Sequence, residues 1–205
     1  MAQSARKFTQ SQIGRPREFD MDRVLDAAVQ VFRARGYNAT SIADLRAAMG
    51  LTAGSLYKAF KDKRAIFIAA LDRYIASRDE SISRHLRNTR TGRERILALL
   101  RSYADVSHDA EGRCGCMVLG GLMEVDTFDV ALARRFHQAL AQVERRFGEF
   151  IELGIRDGSL PNHLDPRGSA RYLLCVAEGL RVLGKHGARV DDIEMVVDLA
   201  MGALR

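Results

Sequence analysis

The chain has few prolines, few cysteines and no long apolar run. Three prolines in 205 residues leave long stretches that nothing breaks, so helix is favoured over a turn-rich β architecture. The three cysteines, Cys114, Cys116 and Cys175, form neither a disulfide framework nor a zinc pattern. None of the histidines (His85, His108, His137, His163, His186) stands at ligand spacing from them. No metal or cofactor is therefore expected, and a reducing cytoplasm is the expected compartment. No apolar stretch approaches the ~20 residues that cross a bilayer. Residues 1–14 are polar and basic and lack the apolar core of a secretory signal, so no membrane partner is expected. Repeats and strand-like alternation are also missing.

What remains is a helix-rich, globular composition. Apolar residues make up 47% and charged residues 28%, too apolar a balance for a disordered chain. The net charge of +6 is unevenly placed. Residues 1–64 hold twelve Lys/Arg against six Asp/Glu, whereas residues 65–205 hold twenty of each. All the positive excess sits in the first third, which suits either a polyanion partner or a merely soluble basic face.

Periodicity predicts about nine helices in an all-α fold. The first spans about 20–35, with Asp20 as N-cap, an apolar stripe of Val24, Leu25, Ala28, Val31 and Phe32, and Gly36 as the stop. Two short helices follow: one capped by Thr40 or Ser41 and closed by Gly50, the other capped by Thr52 and anchored by Leu56 and Phe60. Two helices of this length around a glycine-centred turn form a helix-turn-helix pattern. A long helix at 62–85 links this unit to the rest. Further helices are expected at about 93–108, 114–124, 127–156, 166–185 and 190–204. The expected organisation is a flexible arm at 1–14, a three-helix unit at 15–64 and a helical bundle at 65–205.

In a helix-turn-helix the second helix enters the major groove and its N-terminal residues meet base edges. Here those residues are Thr52, Ala53, Gly54 and Ser55, small enough for close approach. Tyr57, Lys58, Lys61 and Lys63 supply phosphate or base contacts, and Thr40 and Ser41 stand at another helix N-terminus. Upstream, Arg15-Pro16-Arg17 is a basic arm suited to the backbone or minor groove. Each residue has a plainer reading. Thr40, Ser41 and Thr52 are ordinary caps, Tyr57 a half-buried aromatic, and the lysines solvated charge. It is the combination that points to duplex DNA.

Residues 14–74 resemble the N-terminal domain of the TetR/AcrR family of regulators. The matching stretches are Gly14-Arg15-Pro16-Arg17; Ala27-Ala28 through Phe32; Gly36-Tyr37; Thr40-Ser41-Ile42; Gly50-Leu51-Thr52 through Ser55-Leu56-Tyr57; and Phe60-Lys61-Asp62-Lys63. The resemblance implies an operator-binding homodimer, usually a repressor released from a palindromic site by a small-molecule inducer. It assigns DNA binding to the three-helix unit at 15–64, and ligand binding and dimerisation to the helical bundle at 65–205. It also implies phosphate contacts by Tyr57 and Lys63. Lys58 stands where relatives often carry a polar, aromatic or His residue, so the bases read do not carry over.

The remainder resembles the family in helical layout. Gly115-Cys116-Met117-Val118-Leu119 followed by Glu124 resembles a subgroup with cysteine-based electrophile or oxidant sensors. Arg113 and an expected helix N-terminus beside Cys114 would lower a thiol pKa, whereas a buried Cys is usually a small hydrophobe. A redox or electrophile sensor using Cys114 or Cys116 is thus the alternative within the same architecture. A thiol-dependent enzyme is a more distant one, since no nucleophile–base pair stands at recognisable spacing. Tyr103, Cys116, Met117, Phe128, Phe136 and His137 are candidate ligand-lining residues and equally good core residues. The last two helices carry apolar faces that suit either a monomer core or a two-fold interface. A dimer would match a palindromic operator.

Overall fold

Residues 21–205, which the computed structural model describes, form ten α-helices and one 3-10 turn. The arm over 1–14, Arg15, Arg17 and the Asp20 cap lie outside the described residues. The helices are α1 (Met21–Arg35), α2 (Ile42–Met49), α3 (Ala53–Ala59), α4 (Lys63–Leu86), α5 (Gly92–Ala104), α6 (Asp109–Cys114), α7 (Met117–Met123), α8 (Val130–Asp157), α9 (Pro166–His186) and α10 (Val190–Gly202), with the 3-10 turn Val125–Thr127 before α8. The fold is all-helical, a three-helix N-terminal unit followed by a helical C-terminal domain.

One stretch differs from expectation. The helix read at about 114–124 is confined to α7, and an unexpected helix, α6, fills the stretch before it; the two are separated at Gly115, whose φ of +85° and ψ of −170° cannot continue an α-helix. Cys114 therefore ends α6 instead of beginning a helix, and the expected help from a helix N-terminus is lost for that thiol.

Local sequence explains most helix starts. Ser41 and Asp44 form a reciprocal capping box on α2, and Thr91 and Glu94 do the same on α5. Thr52, Asp62, Asp129 and Asp165 cap α3, α4, α8 and α9. Gly50 closes α2 in the left-handed region at φ +65°. At seven residues, α3 is too short to be stable alone; buried Leu56 and Phe60 pin it to α1 and α4.

The core falls into two clusters. One joins Val24, Ala28 and Phe32 of α1 to Leu45, Leu56 and the first half of α4, and continues into Met117, Leu132 and Phe136. The other fills the C-terminal bundle with residues of α5, α8, α9 and α10 around Leu99, Phe147, Ile151 and Leu173. Helix α4 contributes to both: Ile66 through Tyr74 to the first, Ile82 to the second. The first cluster thus crosses from the three-helix head into α7 and α8, so the head rests on the body through packed side chains and not through a linker alone.

Candidate nucleic-acid interface and effector cavity

The first turn of α3 is open to solvent. Thr52, Ala53 and Gly54 are exposed, Ser55 is half-buried, and a side chain added at Gly54 would meet nothing. The Thr52 hydroxyl caps α3 by accepting from the Ser55 backbone N–H at 3.2 Å, and it donates to the Ser55 hydroxyl at 3.0 Å. That pair is therefore presented as one preorganised polar unit. Tyr57 stands out at 59% exposed, and Lys58 and Lys61 are exposed beside it. Small backbone-near residues flanked by a phenol and two ammonium groups can meet a groove floor and its phosphates together.

Three other predicted residues have internal roles. Thr40 is buried and donates its hydroxyl to the Gly36 carbonyl at 2.6 Å. The exposed Ser41 caps α2, and its hydroxyl and backbone N–H hold the Asp44 carboxyl below the usual carboxylate range. Lys63 donates to the carbonyls of Tyr37 and Thr40 at 2.9 and 3.0 Å and lies 4.3 Å from the centre of the Tyr37 ring. Its ammonium closes the α1–α2 turn, which makes it less free to reach a phosphate than Lys58 or Lys61.

A second set of contacts ties the head to the body. Glu124 accepts from the backbone N–H groups of Tyr37 (3.2 Å) and Asn38 (3.0 Å). Gly36, at φ +78°, is the close-approach point: a Cβ there would collide with the Glu124 carboxylate. Arg64 on α4 pairs with Asp129 at 2.7 Å. Arg33 on α1 is buried, pairs with Glu111 at 2.7 Å, and donates its Nε to the Gly115 carbonyl at 2.9 Å. The same carbonyl accepts from Nη2 of Arg181 on α9 at 2.9 Å. Two buried guanidinium groups, one from the head and one from the body, thus converge on one backbone oxygen.

Arg181 also faces a cavity of about 60 Å³ between α4, α5, α8 and α9. Ile75, Ile82, Val118, Leu140 and Val143 make its walls largely apolar. Tyr74, Tyr103, Cys116, Arg78, Arg146 and Glu178 add polar groups. The Tyr74 hydroxyl donates to the Cys116 thiol at 3.4 Å. Burial pushes both phenols well above their ordinary pKa. Burial also lifts the Glu178 carboxyl to about 7, against the opposing pull of Arg181 and Arg78.

Of the six predicted lining residues, Tyr103 and Cys116 face this cavity and the other four do not. Met117 and Phe136 are buried in the head's core cluster. Phe128 belongs to a chain of rings, with Phe32, Tyr37, Phe67 and Phe136, whose contacting centroids lie 4.8–6.4 Å apart at the head–body junction. His137 is exposed on α8. Position along α8 separates Phe136 from the cavity: it shares a face with Ala139, Leu140 and Val143, and those three, one and two turns on, reach the cavity while Phe136 packs in the junction.

Comparison with known proteins assigns this geometry. Residues 24–70 match the family described as bacterial regulatory proteins, tetR family, and residues 92–196 match the tetracyclin repressor-like C-terminal domain. The chain belongs to the TetR family. It is a DNA-binding transcriptional regulator. It is 28% identical to the HTH-type transcriptional repressor ComR of Escherichia coli (strain K12), over 96% of this chain and 94% of that one. It is also 28% identical to YezE, an uncharacterized HTH-type transcriptional regulator of Bacillus subtilis (strain 168), over 94% and 100% of the two chains. Among solved structures it resembles a cysteine mutant of the TetR family regulator CifR, complexed with 26-bp operator DNA, at 31% identity and a TM-score of 0.81 over 93% of this chain and all of that one.

Within this TetR-family chain, several functional candidates escaped sequence reasoning. Arg33 and Glu124 lie far in sequence from the Glu178–Arg181 pair, and of the four only Glu124 stands in a motif, the one that begins at Gly115, which gave it no role. Arg181 and Glu178 sit among apolar positions of α9, where a charged residue on a buried stripe is the signal that could have marked them.

Proposed function

We propose that this regulator is a homodimeric repressor that binds a palindromic operator and is released by a small molecule held in the cavity between α4, α5, α8 and α9. The observation that carries DNA reading is the exposed first turn of α3, Thr52 to Ser55, with Tyr57, Lys58 and Lys61 beside it. In this reading Thr52, Ala53, Gly54 and Ser55 meet base edges. Ser41, Tyr57, Lys58 and Lys61 meet phosphates, and Arg15 and Arg17 extend the footprint. Thr40 and Lys63 hold the head in shape. The named relatives support the repressor assignment, since ComR is a repressor and the CifR mutant is complexed with operator DNA.

Dimerisation through α9 and α10 is supported by the apolar side chains these helices leave open: Val182, Leu183, Met195 and Leu199 are all exposed. A two-fold pairing of these faces would place two reading heads on successive turns of one duplex, about 34 Å or a multiple apart. The cavity suits an effector because its lining residues lead to the head. Cys116 and Arg181 flank Gly115, whose carbonyl also holds Arg33 of α1. A ligand that prefers one position of the Gly115 segment would bias the head, in proportion to its differential affinity for the two states.

Selection of genomic fragments with the full-length protein tests the reading. The expected product is a palindrome whose affinity falls steeply with salt. Equal retention of all duplexes would remove the operator. A second reading, thiol sensing, is favoured at Cys116, which faces the cavity, over Cys114. Alkylation that lowers operator affinity in the parent and not in Cys116→Ser would support it; equal loss in both would exclude it.

A further inference from the structure

The effector cavity has a chemical bias that its shape alone does not convey. Its cations already hold acceptors. Arg78 donates to the Ser102 carbonyl at 2.8 Å and stacks over the Tyr103 ring at 5.5 Å. Arg146 pairs with Asp79 at 2.8 Å. Arg181 donates to the Ser107 hydroxyl at 3.3 Å and to Gly115. The Cys116 thiol accepts from Tyr74. The exception is Glu178, whose Oε2 is fully buried and has no hydrogen-bond partner. A buried acceptor without a donor costs about 1–3 kcal/mol, so the cavity's unmet need is a donor beside Glu178.

The rest of the lining restricts which donor fits. An anion would have to displace an existing partner from Arg78, Arg146 or Arg181 and would face the Glu178 carboxyl. A cation would enter a space bordered by three guanidinium groups against two carboxylates, Asp79 and Glu178, one of which is already paired. A neutral group avoids both costs. Among neutral groups a hydroxyl is suited to either protonation state of the carboxyl, because it both donates and accepts. The small volume and the Ile, Leu and Val walls require the rest of the ligand to be compact and apolar.

We propose that the cavity binds a small, uncharged, largely apolar alcohol whose hydroxyl docks on the Glu178 carboxyl. This rests on reading the cavity as the effector site, but its test needs no DNA and so can fail independently of operator binding. Full-length protein at pH 8 is titrated with cyclobutanol, cyclobutanone, cyclobutylamine and cyclobutanecarboxylate. The methyl resonances of Ile75, Ile82 and Val143 report on the cavity. The expected result is saturable methyl shifts with cyclobutanol bound about tenfold tighter than the other three, the loss expected for one hydrogen bond. Glu178→Leu should erase that preference. Val143→Phe, which fills the space and leaves Glu178 in place, should abolish the shifts. The proposal is overturned if the ketone, amine or carboxylate binds as tightly as the alcohol, or if no probe saturates. It is equally overturned if the preference survives in Glu178→Leu, or if cyclobutanol still shifts the remaining methyls in Val143→Phe.

Discussion

Lys63 and Lys61 are two residues apart, yet their surroundings assign them different work. Lys63 spends its ammonium on the carbonyls of Tyr37 and Thr40, whereas Lys61 is exposed. Lys63→Ala should lower the melting temperature of the head, by the loss of two hydrogen bonds to a charged donor. Lys61→Ala should leave the melting temperature unchanged and reduce the slope of log affinity against log salt by about one unit. If the two variants behaved alike in both measurements, this division of roles would be wrong. Glu178 yields a pH prediction. Its carboxyl is raised to about 7 in the fold, so between pH 4.5 and 7 the native state holds a proton that the unfolded chain has lost. Its contribution to stability is present in full below the unfolded value of 4.5 and is lost as pH rises through 7. Denaturant titrations across that range should show a downward trend in the parent that is shallower in Glu178→Gln. Identical pH profiles for the two proteins would refute it.

At the level of elements, the α6–α7 segment and the 3-10 turn after it act as the body's grip on the head. Gly115 offers its carbonyl to Arg33 and Arg181, and Glu124 caps the α1–α2 turn. Because Glu124 supplies acceptors to two backbone N–H groups, Glu124→Gln leaves at least one of them poorly matched. Amide exchange at Tyr37 and Asn38 should then accelerate by about tenfold while exchange in α5 and α8 stays constant. An unchanged pattern at those two amides would show that the turn does not depend on the body. Gly36→Ala attacks the same contact from the other side. It combines a left-handed φ of +78° with a clash against Glu124. A loss of more than about 1 kcal/mol is expected, read from the urea midpoint.

For the whole molecule the decisive surface is that of α9 and α10. Val182 at 55% and Leu199 at 67% exposed are large apolar side chains left open by the single chain. Replacing both with Glu should yield a folded monomer by sedimentation equilibrium, with little change in helix content. The variant should lose most of its affinity for the full palindrome and keep weak affinity for a half-site, because one reading head offers half the contacts. A double variant that remained a dimer would place the interface elsewhere.

How much of this was readable in the chain follows a simple physical division. The helices, their caps and the helix-turn-helix depend on neighbours a few residues apart, so periodicity, Ser41, Thr52 and Gly50 reported them directly. The break at Gly115 escaped because glycine permits helix as well as the left-handed region, and only packing chose between them. The cavity escaped for a related reason. The pattern marks Tyr103 and Cys116 no differently from Phe128, Phe136, Met117 and His137, and tertiary packing alone places the three apolar ones in the head–body junction and leaves His137 on the surface. Arg181 and Arg33 acquire their meaning from partners more than sixty residues away, as with Arg181 and Gly115, and Glu178 from the cavity that distant helices close around it. Short-range preferences thus settled the family and its reading helix, whereas long-range packing chose which polar side chains share the buried space.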